Sequence, residues 1–202
     1  MIRAAVLISG GGTILQALLD AQADGRIHSG AISLVVSSKP DAYGLTRARD
    51  AGVETAVLAC PPGMERGAYT RALVALLRAH AIDMVVFAGF MLILTDEVVA
   101  AYPNRMLNVH PSLIPSFCGK GMYGLRVHQA ALDYGVRVTG ATVHLVSSVC
   151  DGGRIVRQKA VDVLDGDTPE TLQRRVMEQA EWVILPEATE WLMHSLSEGE
   201  SL

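Results

Sequence analysis

The sequence of 202 residues predicts a single α/β domain built on a mostly parallel β-sheet. Short strands with apolar residues on both faces alternate with amphipathic helices along most of the chain, which is the pattern of a sheet covered by helices on both sides. No internal repeat, low-complexity tract or linker divides residues 1–202, and their number lies within the range of one domain. The expected fold is therefore α/β and Rossmann-like, with one domain.

The first half of the chain predicts four strands, each followed by a helix. In the first unit, the strand AAVLIS leads into three consecutive glycines and then into TILQALLDAQADG, where Leu15, Leu18 and Leu19 recur at helical spacing. The same order recurs three times. The further strands are AISLVVSS, VETAVLA and IDMVVFAGF, and the helices after them lie near Asp41 to Ala51, Glu65 to His80 and Asp96 to Ala101.

The second half predicts three more strands and two helices. The fifth strand, RMLNVH, ends at Pro111, which has no N–H to continue a β-ladder. The loop from Pro111 to Gly124 is long for a compact domain, and such loops are more often functional than idle. The remaining elements are a helix near Leu125 to Tyr134, the strands TGATVHLVS and RIVRQKAVDV, and a terminal helix begun by DGDTPETL with Asp167 or Thr168 as N-cap.

Composition and charge exclude several classes of protein. A net charge of −4 without a Lys/Arg run gives no basic surface for nucleic acid. The longest apolar run, MVVFAGFMLIL, is far shorter than the ~20 residues of a membrane helix, so we interpret it as a buried strand. The amino terminus shows no export signal. The three cysteines lack a C-x-x-C, which disfavours a disulfide framework and a structural zinc site and indicates a cytoplasmic location.

The fifth strand carries two polar side chains where apolar residues are expected. Side chains alternate across a strand, so Asn108 and His110 point to the same face near its carboxyl end. In open α/β sheets this end borders the ligand crevice. The spacing alone leaves two interpretations open, a hydrogen-bonded pair in the core or a pair of catalytic groups.

Asp151 lies in the turn CDGGR, after a strand that carries His144. Asp-Gly-Gly is by itself an ordinary turn sequence. A catalytic histidine that must be cationic near neutral pH needs a carboxylate beside it, because an opposite charge within ~4–6 Å favours the charged form. This need makes Asp151 a candidate partner of His110.

The first turn, SGGGTILQ, predicts an anion site, with an unliganded tight turn as the alternative. Free backbone N–H groups and the helix dipole at the start of a helix bind phosphate most naturally. The turn lacks the third glycine of G-x-G-x-x-G and the Gly-Lys-Ser/Thr of a P-loop, and the second strand ends in serines instead of an acidic residue. No nicotinamide cofactor is therefore expected.

The remaining cysteines and histidines carry weaker signals. Cys118 and Cys150 flank the polar cluster in sequence, but no spacing supplies either with a base, so a structural role is expected. His128, like His80 and His194, is interpreted as a solvated side chain of a helix. No His and carboxylate residues have metal-ligand spacing, so no metal is expected.

Five segments resemble those of the phosphoribosylglycinamide formyltransferases, the folate-dependent enzymes of purine synthesis. They are VLISGGGTILQA, VVFAGFMLIL, LNVHPSLIPSF, GATVHLV and DGGRI, which together span nearly the whole chain. The pattern N-x-H-P-S-L-x-P followed by Asp-Gly-Gly is specific to the folate formyltransferase superfamily. The short length leaves no room for the extra domain that is usual in the methionyl-tRNA and formate-releasing relatives, so the purine branch is expected.

The resemblance implies direct transfer of formyl from 10-formyltetrahydrofolate, a co-substrate, to the amine of glycinamide ribonucleotide. It makes Asn108 and His110 donors to the tetrahedral oxyanion, His110 the general acid, and Asp151 the charge that keeps His110 cationic. His144 would orient this group. The implied binding residues are Gly12, Thr13 and Ile14 for the phosphate, Glu181 for the ribose, and Arg66, Met91, Leu92, Ile93, Leu94 and Asn108 for the folate.

Three positions depart from the family pattern. Ile14 replaces a usual Asn, Leu92 replaces a common Arg of the folate stretch, and SFCGKGMYG replaces a shorter loop rich in Pro and Gly. Two other interpretations stay open, a formyltransferase acting on another amine, such as that of a nucleotide sugar, and a nucleotide-binding module without catalysis. A monomer or homodimer is expected, with neither nucleic acid nor membrane as partner.

Overall fold

The computed structural model describes residues 1–200 and is built on one seven-stranded sheet. The strands are β1 (Ile2–Ile8), β2 (Gly30–Ser37), β3 (Glu54–Val57), β4 (Met84–Phe87), β5 (Met106–His110), β6 (Val138–Leu145) and β7 (Ile155–Asp162). The helices are α1 (Thr13–Ala23), α2 (Gly44–Asp50), α3 (Arg66–Ala79), α4 (Asp96–Ala101), α5 (Leu125–Tyr134), α6 (Pro169–Val176) and α7 (Trp182–Ser197). Within the described range, no helix has both the length and the apolar character needed to cross a bilayer.

The strand order is β3-β2-β1-β4-β5-β6-β7. The first five strands pair in parallel, whereas β6 pairs antiparallel with both β5 and β7. From β1 the chain moves outward to β3 and then returns to the other side of β1 as β4. An open α/β sheet binds its ligands at such a switch point, beyond the carboxyl ends of the strands. The predicted mostly parallel, Rossmann-like fold is confirmed.

A hydrophobic core covers each face of the sheet. In β1, Val6 and Ile8 belong to the core that includes residues of α1, α2 and α7, whereas Leu7 belongs to the core that includes residues of α3 and α4. The central strands are therefore apolar on both faces, as the sequence pattern requires. β7 forms an edge of the sheet, and most of its side chains are exposed.

The apolar run that begins at Met84 is a strand over only part of its length, contrary to the prediction. β4 ends at Phe87, and Gly89 has a left-handed φ of 76°, which an extended strand does not allow. In the loop that follows, Met91 and Ile93 are 55% and 69% exposed. The Met91 N–H donates to Ser9 Oγ at 2.9 Å, which ties this loop to the turn after β1.

The terminal helix begins as predicted but is then interrupted. Thr168 is the N-cap, and its side chain and that of Thr171 each accept from the other residue's N–H. A π-helical segment, Met177–Glu181, separates α6 from α7. Pro186, inside α7, has no N–H to donate to the carbonyl of Trp182 four residues earlier, so regular α-helical bonding fails at this junction.

Gly140 in β6 allows the close approach of β7 and of the 111–124 loop. A Cβ atom there would collide with the Lys159 carbonyl oxygen and lie 2.9 Å from Leu113 Cδ2. We expect Gly140→Ala to lower the free energy of unfolding by about 3 kcal/mol, because the backbone of a paired strand cannot move aside. Urea unfolding measures this loss.

Gly52→Ala is the matched control for this prediction. Its added Cβ would meet nothing within 4 Å, so it is strained only by a left-handed φ of 73°. We expect a loss of about 1 kcal/mol there. Equal losses in the two variants would contradict the steric account of Gly140.

Candidate active site

Asn108 and His144 face each other across β5 and β6, at the boundary between the parallel and antiparallel parts of the sheet. Asn108 Nδ2 lies 3.1 Å from His144 Nε2, and His144 Nδ1 lies 2.9 Å from the carbonyl oxygen of Leu145. A carbonyl oxygen only accepts, so Nδ1 donates, and in the neutral ring Nε2 accepts from Asn108. His144 thus holds one amide hydrogen of Asn108 and leaves the second for a ligand.

His110, two residues further along β5, is buried next to the 111–124 loop. Its Nε2 lies 2.9 Å from the carbonyl oxygen of Phe117 and therefore donates to it. Nδ1 lies 3.7 Å from Asp151 Oδ2, too far for a short hydrogen bond but close enough for charge attraction. Nδ1 is the ring nitrogen left to exchange a proton with a ligand.

Asp151 lies in the turn between β6 and β7 with a left-handed φ of 54°, which Asp tolerates better than most residues. Its side chain, 10% exposed, lies 3.7 Å from His110 and from His144, and its Oδ2 accepts the Gly119 N–H at 2.8 Å. Burial raises the pKa of Asp151, but His144, the Gly119 N–H and His110 outweigh burial and lower this pKa to about 2. The carboxylate is therefore charged at neutral pH.

The two cysteines that flank the polar cluster in sequence also lie near Asp151. Cys150 Sγ is 3.8 Å from Asp151 Oδ2, and both Cys118 and Cys150 are free thiols. Burial and the negative charge of Asp151 raise the pKa of both thiols. Because the thiolate is the nucleophilic form, neither cysteine is suited to nucleophilic catalysis at neutral pH.

The interpretation of His128 as a solvated side chain is wrong. His128 lies on the buried face of α5 and is 1% exposed, and neither ring nitrogen has a hydrogen-bond partner among residues 1–200. Burial, together with the nearby His110, lowers the pKa of His128 to about 4. The ring is therefore neutral at physiological pH. Helical spacing alone could not show that this position of α5 faces inward.

A cavity of about 230 Å³ opens beside Asn108 and His144. The loop after β4 supplies an apolar part of its lining, and α4 and residues 146–151 supply further parts. Two larger grooves, of about 460 and 360 Å³, lie along α3 and α4 and contain none of the polar cluster. Asn108 and Asp151 line the smaller cavity, whereas His110 does not. Because two of the three catalytic candidates line it, this cavity is the candidate ligand site.

The residues that the resemblance assigns to the folate fall into two groups. Leu92, Ile93, Leu94 and Asn108 line the cavity. Met91 and Arg66 do not, and Arg66 is exposed at the start of α3 with Nη1 4.0 Å from Cys60 Sγ. Sequence reasoning missed the wall formed by residues 146–150, because apolar residues in irregular loops carry no periodic signal.

The glycine-rich turn forms the amino terminus of α1. Gly12 is the N-cap with a left-handed φ of 71°, and neither a side-chain cap nor an acidic residue neutralises the first turn. The first N–H groups of a helix lack acceptors within it, so Thr13 and Ile14 present donors at the positive end of the helix dipole. A Cβ on Gly12 would lie 2.7 Å from Gly44 Cα, so glycine is required there.

Arg47 on α2 was not predicted as a site residue. Its Nε donates to the Gly11 carbonyl at 2.9 Å, and its Nη1 donates to Gln16 Oε1 at 2.9 Å. A positive charge therefore lies beside the glycine turn, where it adds to the helix dipole in attracting an anion. The sequence alone does not show which arginine of this short helix, Arg47 or Arg49, would lie beside the glycine turn.

Glu181 ends the π-helical segment, and its side chain is buried. Thr13 Oγ1 lies 4.0 Å from Met177 Sδ, so this segment packs against the start of α1. Burial raises the pKa of Glu181 to about 7. A carboxyl group with a pKa near neutrality, on a segment that packs against a candidate anion site, is a candidate ligand-binding group.

The cluster suits the chemistry of acyl transfer. Asn108 and His110 can donate to a developing oxyanion, His110 can supply a proton, and Asp151 can stabilise the resulting charges. In the sheet, β4 lies between β1 and β5. Since neighbouring strands are about 5 Å apart, the glycine turn after β1 lies roughly 10 Å from the polar cluster on β5. Within residues 1–200, no three His, Cys, Asp or Glu side chains are grouped so as to hold a metal ion.

Known proteins resemble the chain over most of its length. The family model described as formyl transferase matches residues 2–189. The chain is 41% identical to phosphoribosylglycinamide formyltransferase of Escherichia coli (strain K12), with 92% of this chain and 84% of that protein covered. It is 40% identical to the chloroplastic phosphoribosylglycinamide formyltransferase of Arabidopsis thaliana, with 87% of this chain covered. The chain spans 60% of the length of the plant protein.

A solved structure matches both the fold and the sequence. Glycinamide ribonucleotide transformylase 1 from Symbiobacterium toebii superposes with a TM-score of 0.88 at 45% identity, and the match covers 98% of this chain and 89% of that one. The likeness therefore extends across the sheet, the loops and the terminal helices. From the family match and these identities, we conclude that the chain belongs to the formyl transferase family.

Proposed function

We propose that the chain transfers the formyl group of 10-formyltetrahydrofolate to the amine of 5-phosphoribosylglycinamide, a step of purine biosynthesis in the cytoplasm. The observation that carries this proposal is the grouping of Asn108, His110 and Asp151 beside an apolar cavity, with the free amino end of α1 following a strand two places away in the sheet. The cavity suits the flat ring of a folate, and the helix end suits a phosphate. The names of the relatives support the same reaction.

The attack of the amine on the formyl carbon creates a tetrahedral oxyanion. The amide hydrogen of Asn108 that His144 does not hold can donate to this oxygen, as can Nδ1–H of a protonated His110. Both donors are fixed before the substrate arrives, because each side chain has a second hydrogen bond to protein. Such preorganised donors stabilise the charge that develops in the transition state more than the neutral formyl group.

Collapse of the tetrahedral intermediate requires proton movement in two places. The attacking amine must lose a proton, and N10 of the departing folate must gain one. Nδ1 of His110 can supply the second proton, since Nε2 is held by Phe117 and does not exchange with a ligand. Asp151, charged and 3.7 Å from Nδ1, stabilises the imidazolium before transfer and can receive the amine proton directly or through water.

The ribonucleotide is proposed to lie between the glycine turn and the π-helical segment. Its phosphate would accept from the backbone of Gly12, Thr13 and Ile14, with Arg47 adding positive charge nearby. The carboxyl group of Glu181 would accept from the ribose hydroxyls. Because Met177 of the same segment contacts Thr13, a ligand bound at the turn reaches the segment that carries Glu181.

The folate is proposed to fill the cavity along Leu92, Ile93 and Leu94, with its N10 directed toward Asn108. Met91 and Arg66 lie outside the cavity wall, so any contact they make would be with the part of the folate that projects into solvent. Leu92 offers no cation to that part, unlike the usual Arg. The glutamate tail is therefore proposed to depend on Arg66 for its charge contact.

The triad is tested by turnover of three variants. Loss of one oxyanion donor typically costs ~10²–10³ in kcat, so Asn108→Ala should lose at least that factor. His110→Ala should lose more, because a donor and the acid vanish together, and Asp151→Asn should also lose turnover because the carboxylate charge is gone. The measurement is the absorbance change of folate deformylation, with and without 5-phosphoribosylglycinamide, and circular dichroism confirms folding.

Double variants serve as the control for the triad. Three groups that act on one transition state give losses far from additive, so each double variant should be little worse than its poorer single variant. Near-wild-type turnover in His110→Ala would reject the mechanism. A wild-type protein that formylates another amine, such as that of a nucleotide sugar, but not 5-phosphoribosylglycinamide would reject the proposed substrate.

The phosphate cradle is tested at Gly12 and Ile14. Gly12→Val should abolish most binding of the ribonucleotide, because a side chain there meets Gly44 and displaces the N–H groups of the turn. Ile14→Asn should change KM for the ribonucleotide less than about threefold, since the backbone N–H is the contact. Steady-state kinetics at constant folate measure both. A larger KM change in Ile14→Asn than in Gly12→Val would rule out a backbone cradle.

Glu181 predicts a pH dependence of substrate affinity. Its pKa of about 7 means that the carboxyl gains a proton as the pH falls from 8 to 6, which weakens it as an acceptor for ribose hydroxyls. We expect the ribonucleotide Kd of the wild type to rise roughly tenfold more over this range than that of Glu181→Gln. The substrate's own phosphate and amine titrate equally in both measurements, so the difference between wild type and Glu181→Gln isolates the effect of the carboxyl group. Parallel pH profiles by calorimetry would contradict a role for Glu181.

A further inference from the structure

The 111–124 loop, in which the sequence departs from the family pattern, contributes two main-chain groups to the catalytic cluster. The carbonyl oxygen of Phe117 accepts from His110 Nε2 at 2.9 Å. The N–H of Gly119 donates to Asp151 Oδ2 at 2.8 Å. One short stretch of loop therefore holds the general acid and its carboxylate partner at the same time.

We propose that Phe117 and Gly119 are positioning residues, whose backbone carbonyl and N–H fix the ring of His110 and the carboxylate of Asp151 for formyl transfer. The inference rests on the proposed function and deepens it. Neither residue touches the reacting atoms. Their effect is exerted through His110 and Asp151.

For His110, the Phe117 carbonyl decides which nitrogen is available. A free imidazole can carry its proton on either nitrogen and can turn about its bond to Cβ. The carbonyl oxygen accepts only from an N–H, so it keeps the hydrogen on Nε2 and directs Nδ1 toward Asp151. The nitrogen that gains and loses the catalytic proton is then always the same one.

For Asp151, the Gly119 N–H is the short contact that sets the direction of the carboxylate. Both histidine contacts are 3.7 Å, and the Cys150 thiol is 3.8 Å away. At these distances the attraction has little directional preference, whereas a charge-assisted hydrogen bond of 2.8 Å constrains the angle of the acceptor. Removal of the N–H would leave the carboxylate charged but free to turn.

Contacts within the loop and with α5 hold the Phe117 carbonyl and the Gly119 N–H in place. Phe117 has a left-handed φ of 50°, a strained conformation for a residue with a side chain, and its ring packs edge-on against Tyr134 at 5.9 Å. Ser112 Oγ donates to the Ser116 carbonyl just before it. Gly119 follows with a φ of 92°, a conformation that favours glycine.

Gly119→Ala and Gly121→Ala form a matched pair of variants for this proposal. The two glycines have φ values of 92° and 90°, and an added Cβ meets nothing within 4 Å at either position. The backbone strain is therefore the same, but only Gly119 donates to Asp151. Alanine keeps the backbone N–H, but relief of its strained φ turns this N–H away from Asp151 Oδ2. We therefore expect kcat to fall roughly 10- to 100-fold in Gly119→Ala with KM for both substrates little changed, the loss typical of a hydrogen bond to a charged group. Gly121→Ala should stay within about twofold of the wild type.

A double-mutant cycle shows whether Gly119 acts through Asp151. In an Asp151→Ala background, Gly119→Ala should cause no further loss of kcat, whereas a general disturbance of the loop would cause the same loss in both backgrounds. Equal losses in Gly119→Ala and Gly121→Ala, or losses that add to that of Asp151→Ala, would overturn the proposal.

A measurement on the protein without substrates separates this proposal from the proposed function. In ¹H–¹⁵N spectra, Asp151→Asn should shift the Gly119 amide proton upfield by more than the Gly121 amide proton, because the charged acceptor is lost. An unmoved Gly119 amide would overturn the positioning contact even if the wild type transfers formyl. A wild type without formyl transfer, but with the expected Gly119 shift, would overturn the proposed reaction and leave the contact supported.

Discussion

The buried charge of Asp151 is the constraint on which the arrangement of the site depends. A carboxylate that loses most of its contact with water is unstable unless neighbouring groups replace the hydration. Here the Gly119 N–H and the His110 ring do so, and they come from the loop after β5 and from β5 itself, whereas Asp151 lies in the turn after β6. Three separate parts of the chain must therefore be in place before the charge is tolerated. The same neighbours are groups that the proposed formyl transfer uses, so the contacts that stabilise the charge also arrange the proposed site.

The reversal of strand direction after β5 makes this meeting of groups possible. In a fully parallel sheet, each strand delivers its side chains and its following loop to the same edge. Because β6 runs back along β5, His144 is paired directly with Asn108, and the turn that carries Asp151 folds over the face to which both point. The parallel part of the sheet carries the glycine turn after β1, which is the candidate anion site. Each kind of strand pairing thus supplies one half of the site.

Much of this structure could be predicted from the sequence, and the limits have identifiable physical causes. Alternating apolar strands and helices fixed the order of elements, and Asn108 and His110 stood out because a buried strand rarely carries two polar residues. The segment after Phe87 is an exposed loop instead of the predicted strand, since an apolar composition does not distinguish a core strand from the wall of a cavity. His128 is buried instead of solvated for the converse reason, because a polar residue on a helix can face inward. The contributions of Phe117 and Gly119 come from main-chain atoms, which every residue possesses, so the residue type does not indicate them.

Glu181 ends a π-helical segment, so the direction of its side chain depends on the number of residues in that segment. In a regular α-helix each residue advances by about 100° around the axis, and a π turn accommodates additional chain without changing the direction of the axis. Loss of one residue between positions 177 and 181 would rotate Glu181 by roughly that angle while leaving every neighbouring side chain chemically intact. An alignment that moves a gap by one position in this region would pair Glu181 with a residue on a different side of the helix. Gap placement, rather than residue identity, therefore decides whether the counterpart of Glu181, proposed here to bind ribose, is recognised in related chains.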